Sequence, residues 1–151
     1  MKKKVLYSII VVTLLLVGCS ENYNGDITKC TYNKQEAQSY DTVTYTIKHK
    51  EDSIDQVIYN KVISASTKEE KENLNTLVYI IQEESKMYAE NDGFTFKVNT
   101  TRPMLYEFTY VIDVQKVDDN IINPLGIYKN LSEIENYFNT LENIEVKCTK
   151  E

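Results

Sequence analysis

Residues 41–50, DTVTYTIKHK, alternate without a break: Val43, Tyr45 and Ile47 fall on one side, and Thr42, Thr44, Thr46 and Lys48 on the other. Successive side chains of a strand point to opposite faces, so this pattern is that of an antiparallel strand with one face buried and one in water. Turn residues Glu51, Asp52 and Ser53 follow, and residues 54–64, rich in Val and Ile, supply a partner strand and close a hairpin. Upstream, residues 29–33 predict a first strand.

Beyond the hairpin the period changes from two to that of a helix. Thr67-Lys68-Glu69-Glu70 has the capping-box form, in which the Thr hydroxyl and the Glu carboxylate each satisfy an early backbone N–H. Leu74, Leu77, Val78, Ile81 and Tyr88 then form an apolar stripe, with Glu72, Asn75, Gln82 and Lys86 opposite, until Asn91-Asp92-Gly93 stops the helix. A second hairpin follows. Phe94, Phe96 and Val98 alternate, Arg102-Pro103 turns the chain, and Met104, Tyr106, Phe108, Tyr110, Ile112 and Val114 alternate again. After a loop over residues 117–125, Asn130-Leu131-Ser132-Glu133 offers a second cap, and Leu131, Ile134, Phe138 and Leu141 make a second stripe. The order hairpin, helix, hairpin, helix predicts a two-layer α+β domain: an antiparallel sheet of about four to five strands with two helices on one face.

The length of 151 residues fits one such domain behind a leader. Lys2, Lys3 and Lys4 precede an uncharged run over residues 5–17, too short for a bilayer span of about 20 residues and suited to a signal-peptide core. The run ends in Leu16-Val17-Gly18-Cys19, which resembles the bacterial lipobox. That resemblance implies diacylglyceryl attachment to the Cys19 thiol, cleavage after Gly18 and a new N-terminus at Cys19. A thiolate is the nucleophile suited to thioether formation, and two acyl chains are what stable anchoring needs. The expected division is therefore residues 1–18 as lipoprotein signal peptide, 19–28 as lipidated cysteine and polar tether, and 29–151 as the folded domain, on the extracytoplasmic face of a bacterial membrane. The alternative is an N-terminal anchor helix with an incidental cysteine.

Composition narrows the partners. The net charge is −6, and the leader removes three lysines and no acid, so the mature chain is more acidic still. An acidic chain without a basic patch does not suit a phosphate backbone, so nucleic acid is not expected as a partner. Tyr is abundant at 12 while Trp is absent, and tyrosines on alternating strand positions build a half-buried sheet face. The Asn, Lys, Ile and Tyr bias is that of an AT-rich genome, as in a low-GC Gram-positive bacterium. With Cys19 lipidated, Cys30 and Cys148 remain at opposite ends of the folded segment, and a disulfide between them is expected in an oxidising compartment. Two free thiols are the alternative.

The lipobox, KCTYN at 29–33, the alternating strand pair, the capped helix, EFTYVIDVQKVD at 107–118 and VKCTK at 146–150 come in an order that resembles the YehR-like group of small bacterial lipoproteins. That resemblance implies an α+β domain outside the cytoplasmic membrane and brings no catalytic residue with it.

No constellation identifies a reaction. His49 stands alone at a strand end, without the G-x-S-x-G elbow that a Ser-His-Asp site uses, and reads as an exposed or edge-strand imidazole. Asp118-Asp119-Asn120 is the best local cation candidate, but it lacks the EF-hand frame and reads as a solvated loop. Among 23 acids no carboxylate pair stands out, and P-loop, G-x-G-x-x-G and H-E-x-x-H patterns are missing from the sequence. Asn99-Thr100-Thr101 and Asn130-Leu131-Ser132 match the glycosylation pattern but read as strand end and helix cap. The expectation is a non-enzymatic lipoprotein, without cofactor or metal, that binds a peptide, protein or small ligand at the cell surface. A structural accessory of an envelope complex is the second reading, and a small metal-dependent hydrolase a third.

Overall fold

The computed structural model describes residues 23–36, 39–100 and 103–151. The leader, Cys19, the first part of the tether and Arg102 of the expected turn lie outside the described residues. The chain runs β1 (Asp26–Glu36), β2 (Ser39–Lys50), β3 (Ser53–Ala65), α1 (Lys68–Tyr88), β4 (Phe94–Asn99), β5 (Leu105–Asp113), α2 (Asp119–Ile122) with a 3-10 turn (Asn123–Leu125), α3 (Leu131–Asn139) and β6 (Lys147–Lys150). Among the described residues six strands form one antiparallel sheet in the order β4-β5-β3-β2-β1-β6.

The fold is α+β, as expected, with corrections to its parts. The sheet has six strands where about four to five were expected, because residues 147–150 pair with β1 although their side chains are all exposed and show no alternation. The first strand begins at Asp26, earlier than residue 29. A short third helix, α2, accompanies the two expected ones.

The register lines up the core in rows across the strands. Cys30, Tyr45, Tyr59, Tyr110 and Phe96 face one another in turn on the helix-covered side. Ring centroids lie 5.1 Å apart for Tyr45–Tyr59, 5.6 Å for Tyr59–Tyr110 and 4.9 Å for Phe96–Tyr110. Each such pair adds about 0.5–1.5 kcal/mol beyond burial, so the tyrosines that stood out in the composition are in large part core. The Tyr45 hydroxyl donates to the Leu125 carbonyl at 2.7 Å, tying the α2–α3 connection to the sheet. The neighbouring row, Thr28–Ile47–Val57–Ile112–Phe94, is also buried.

Both long helices lie on this side. From α1, Leu74 and Val78 enter the core, Tyr88 packs its ring on Phe94 at 5.8 Å, and Asn75 accepts from the Tyr106 hydroxyl at 2.6 Å. From α3, Phe138 meets Tyr45 at 5.1 Å and Tyr32 at 6.5 Å. The expected stripe of α1 needs one change: Leu77 is 40% exposed, and the buried arc is Leu74, Val78 and Ser85.

The helix starts are set differently. At α1 the capping box forms, with Thr67 Oγ1 accepting from the Glu70 amide at 3.2 Å and Glu70 Oε2 from the Thr67 amide at 3.0 Å. At α3 Asn130 occupies the cap position without a capping bond. Asp52, in the β2–β3 turn, takes that role, its Oδ1 accepting from the Ser132 amide at 2.8 Å, its Oδ2 from the Ser132 hydroxyl at 2.9 Å and its carbonyl from the Leu131 amide at 2.7 Å. Before α3 the 3-10 turn closes at Gly126, whose φ is 69°. A side chain there would meet both the left-handed backbone penalty and the Tyr137 ring.

Candidate functional site

With both long helices on one side, the other face of the sheet is left to solvent, and its side chains form a second set of rows. Thr31, Thr44, Asn60, Thr109 and Lys97 face one another across β1, β2, β3, β5 and β4. The next row is Lys29, Thr46, Ile58, Val111 and Thr95. These are the partners of the Thr42, Thr44, Thr46 and Lys48 face legible in the sequence.

The rows are knitted by side-chain hydrogen bonds. Asn60 Nδ2 donates to Glu107 Oε1 at 2.9 Å and to Thr109 Oγ1 at 3.0 Å. Thr31 and Thr44 share a hydroxyl bond of 3.2 Å, and Thr42 Oγ1 donates to Asn33 Oδ1 at 2.9 Å. Here the sheet holds a hollow of about 420 Å³, floored by Ile58, Asn60 and Thr109, with Lys29 at one end and Lys97 at the other. Among the described residues neither lysine has an ion-pair partner. Glu107, the carboxylate in this hollow, is engaged by Asn60.

Other hollows differ in their walls. One of about 490 Å³ runs beside α3 along Phe138, Leu141, Ile144 and Val146, where the chain is stepping out of the helix toward β6. Another of about 480 Å³ lies where the N-terminal segment meets the sheet, among Tyr23, Lys48, Asp55, Gln56 and Asp113. The open-face hollow lies at the middle of the interior strands β2, β3 and β5, whereas the one beside Tyr23 lies at their ends, so the polar groups of the first are held by backbone ladders on both sides.

Tyr23 fixes how the chain reaches this face. Its hydroxyl donates to Asp55 Oδ2 at 2.8 Å, and Lys48 and Lys50 sit over its ring at 5.7 and 5.9 Å. Burial first, then the hydrogen bond and charge of Asp55, push the Tyr23 phenol up to about 12. Lys48, Gln56 and Asp113 beside it form the last row of the open face.

The residues singled out for chemistry are placed as follows. Cys30 and Cys148 face each other across β1 and β6 and are bonded, S–S 2.08 Å. The expectation for His49 is corrected: it is 2% exposed on an interior strand, with Nε2 2.9 Å from Thr28 Oγ1 and Nδ1 2.8 Å from the Glu51 carbonyl. Both ring nitrogens are committed, so it serves the strand end and the turn. Asp118, Asp119 and Asn120 are solvent-exposed, as expected, though α2 begins at Asp119. Asp118 caps α2 through the Asn120 amide at 2.8 Å, and Asp119 pairs with Lys129 at 3.0 Å. Among the described residues no three His, Cys, Asp or Glu side chains converge on a metal position, and no helix is long and apolar enough to cross a membrane. Asn60, Lys97 and Thr109 were not singled out from the sequence. The signal that could have found them is the polar half of each alternating strand, read across the hairpins instead of along them.

No protein-family model matches this chain, and no curated protein matches it. Among solved structures it is similar to an NMR structure of a protein from Streptococcus pneumoniae TIGR4, at 18% identity and a TM-score of 0.47, with 95% of this chain and 87% of that chain covered.

Proposed function

We propose that this protein is an extracytoplasmic, YehR-like lipoprotein, held to a bacterial membrane by a diacylglyceryl thioether at Cys19, that binds a ligand on the open face of its sheet without transforming it. The observation that carries the binding reading is the hollow across β2, β3 and β5, polar, pre-bonded and flanked by two lysines without an ion-pair partner among the described residues, on the face opposite α1 and α3. A solvated sheet face needs polar residues. It does not need them gathered around a hollow with two cations that have no ion-pair partner among the described residues.

The anchor and the site are joined by geometry. Tyr23 is bound at the end of the open face, and Cys19 precedes it by only four residues, at most about 14 Å of extended chain. A lipidated Cys19 therefore holds this end of the sheet close to the bilayer. The lipidated body, without the leader's three lysines, is more acidic than the −6 of the full chain and is repelled by an anionic surface within the Debye length of about 8–10 Å.

In-cell photo-crosslinking tests the reading. A photoreactive residue in place of Thr44 is expected to trap an envelope component, and one in place of Glu72 on α1 is not. Adducts confined to α1 overturn it. The anchor is tested separately: Cys19→Ala releases the protein from the membrane fraction, and firm retention refutes the thioether.

One observation favours the second reading, a structural accessory of an envelope complex. Leu77, Ile80 and Met87 on α1 are 40%, 48% and 61% exposed and fall along one edge of the helix. That ridge suits a protein partner. Leu77→Glu with Met87→Glu separates the two: loss of envelope association with the Thr44 adduct retained assigns the ridge to assembly.

A further inference from the structure

We propose that the occupant of the open face is an extended anionic polyol, a chain of hydroxyl-bearing units joined by phosphodiesters, lying across the strands. This rests on the reading of the open face as the binding face and goes further by naming the class of ligand.

The chain carries −6, yet the hollow is ended by two cations, Lys29 and Lys97, with one carboxylate, Glu107, that is already hydrogen-bonded to Asn60. Two ammonium groups against one carboxylate leave the hollow net positive, against the sign of the whole molecule, and an anionic ligand supplies the missing counter-charge. The lysines have no other partner among the described residues.

Distance decides between a compact and an extended anion. Lys29 is on β1 and Lys97 on β4, with β2, β3 and β5 between them. Four strand spacings of about 4.8 Å place them about 19 Å apart along the sheet. An elongated chain laid across the strands meets both ends of the hollow at once.

What lies between the lysines supplies the third argument. Thr44, Asn60 and Thr109 present hydroxyl and amide groups at strand-to-strand intervals, with Thr46 one pleat further along β2, each able to donate or accept. Such groups match ligand hydroxyls, which are also both donors and acceptors. Ile58 provides an apolar floor for the C–H edges of the chain. A peptide would seek the unpaired N–H and C=O groups of a sheet edge, whereas the floor of this hollow is interior strand with its backbone already paired.

The test is titration calorimetry on the full chain in detergent with three polymers of matched length. Poly(glycerol phosphate) has charge and hydroxyls, dextran hydroxyls without charge, and polyphosphate charge without hydroxyls. Poly(glycerol phosphate) is expected to bind at least tenfold more tightly than either control. Lys29→Gln with Lys97→Gln removes at least tenfold of that affinity. Thr44→Val with Thr109→Val weakens poly(glycerol phosphate) binding and leaves polyphosphate binding unchanged. Should the valine pair disturb the fold by circular dichroism, Thr44→Ala alone serves, with the same expected direction. Dextran binding as tightly removes the charge argument, and polyphosphate binding as tightly removes the hydroxyl argument; either result overturns the proposal. Failure of all three polymers while the Thr44 crosslink persists ends this inference and leaves the open-face reading standing. Loss of the crosslink ends both.

Discussion

Replacing Cys148 by Ser separates the covalent closure of the fold from its packing. Cys148 belongs to an exposed four-residue strand, whereas Cys30 is 2% exposed, so Cys148→Ser opens the bond and leaves the core thiol in place. The two residues are 118 apart in sequence. Chain-entropy arithmetic for a loop of that length gives about 5 kcal/mol of stabilisation through the unfolded state. Locally, β6 has four paired residues and no buried side chain to hold it once the bond is gone. Ordering four backbone units opposes pairing by about 4–8 kcal/mol, and each ladder hydrogen bond returns a net of about 0.5–1.5 kcal/mol. The strand therefore detaches in the variant, while β1 to β5 and both long helices stay folded. Urea unfolding followed by circular dichroism should show a loss of about 3–5 kcal/mol, a midpoint lower by roughly 2 M at a slope of about 2 kcal/mol/M. Hydrogen exchange should show the residue 147–150 amides unprotected in the variant and protected in the parent. A loss under about 1 kcal/mol, or a β6 still protected without its bond, refutes the reasoning.

Three further outcomes follow from the packing. Burial first, and then the charge of Tyr137, push Tyr32 up to about 12, and burial raises Tyr45, Tyr59 and Tyr110 as well. A folded pKa above the unfolded value of about 10 means that this stability is complete below pH 10 and is lost as pH rises toward 12, by about 3 kcal/mol for Tyr32 alone; tyrosinate absorbance at 295 nm should rise together with unfolding. Asp52→Ala uncaps α3 across the fold and should lower stability by about 1–2 kcal/mol in thermal melts, whereas Asn130→Ala should change it little. Tyr45→Phe leaves the Leu125 carbonyl without its hydroxyl donor and should lower stability by about 1–3 kcal/mol in urea titration, with the fold intact by circular dichroism.

What could be read from the sequence was local. The alternation of Val43, Tyr45 and Ile47 fixes a buried side, and the Thr67–Glu70 capping box fixes where α1 begins; both are written within a few residues. The features that were missed depend on partners far along the chain. β6 exists because β1 lies beside it and Cys30 holds it, and no alternation in KCTK announces that. The cap of α3 is an aspartate 80 residues away from the amide it accepts. His49 ends an alternating run, as a surface residue might, yet β1 and β3 flank it and Thr28 and Glu51 take both of its nitrogens. The candidate site divides in the same way. Its threonines on β2 are visible as one side of the strand, but Asn60, Thr109 and Lys97 join them only through the register of β3, β5 and β4.

Amide chemical-shift mapping on the isotope-labelled protein, titrated with soluble polymer from the envelope of its own host, reads the binding face most directly. Binding on the open face requires shifts concentrated at Thr31, Thr44, Asn60, Thr109 and Lys97 and a quiet α1. Shifts that instead gather at Leu77, Ile80 and Met87, with the central row unmoved, would contradict it.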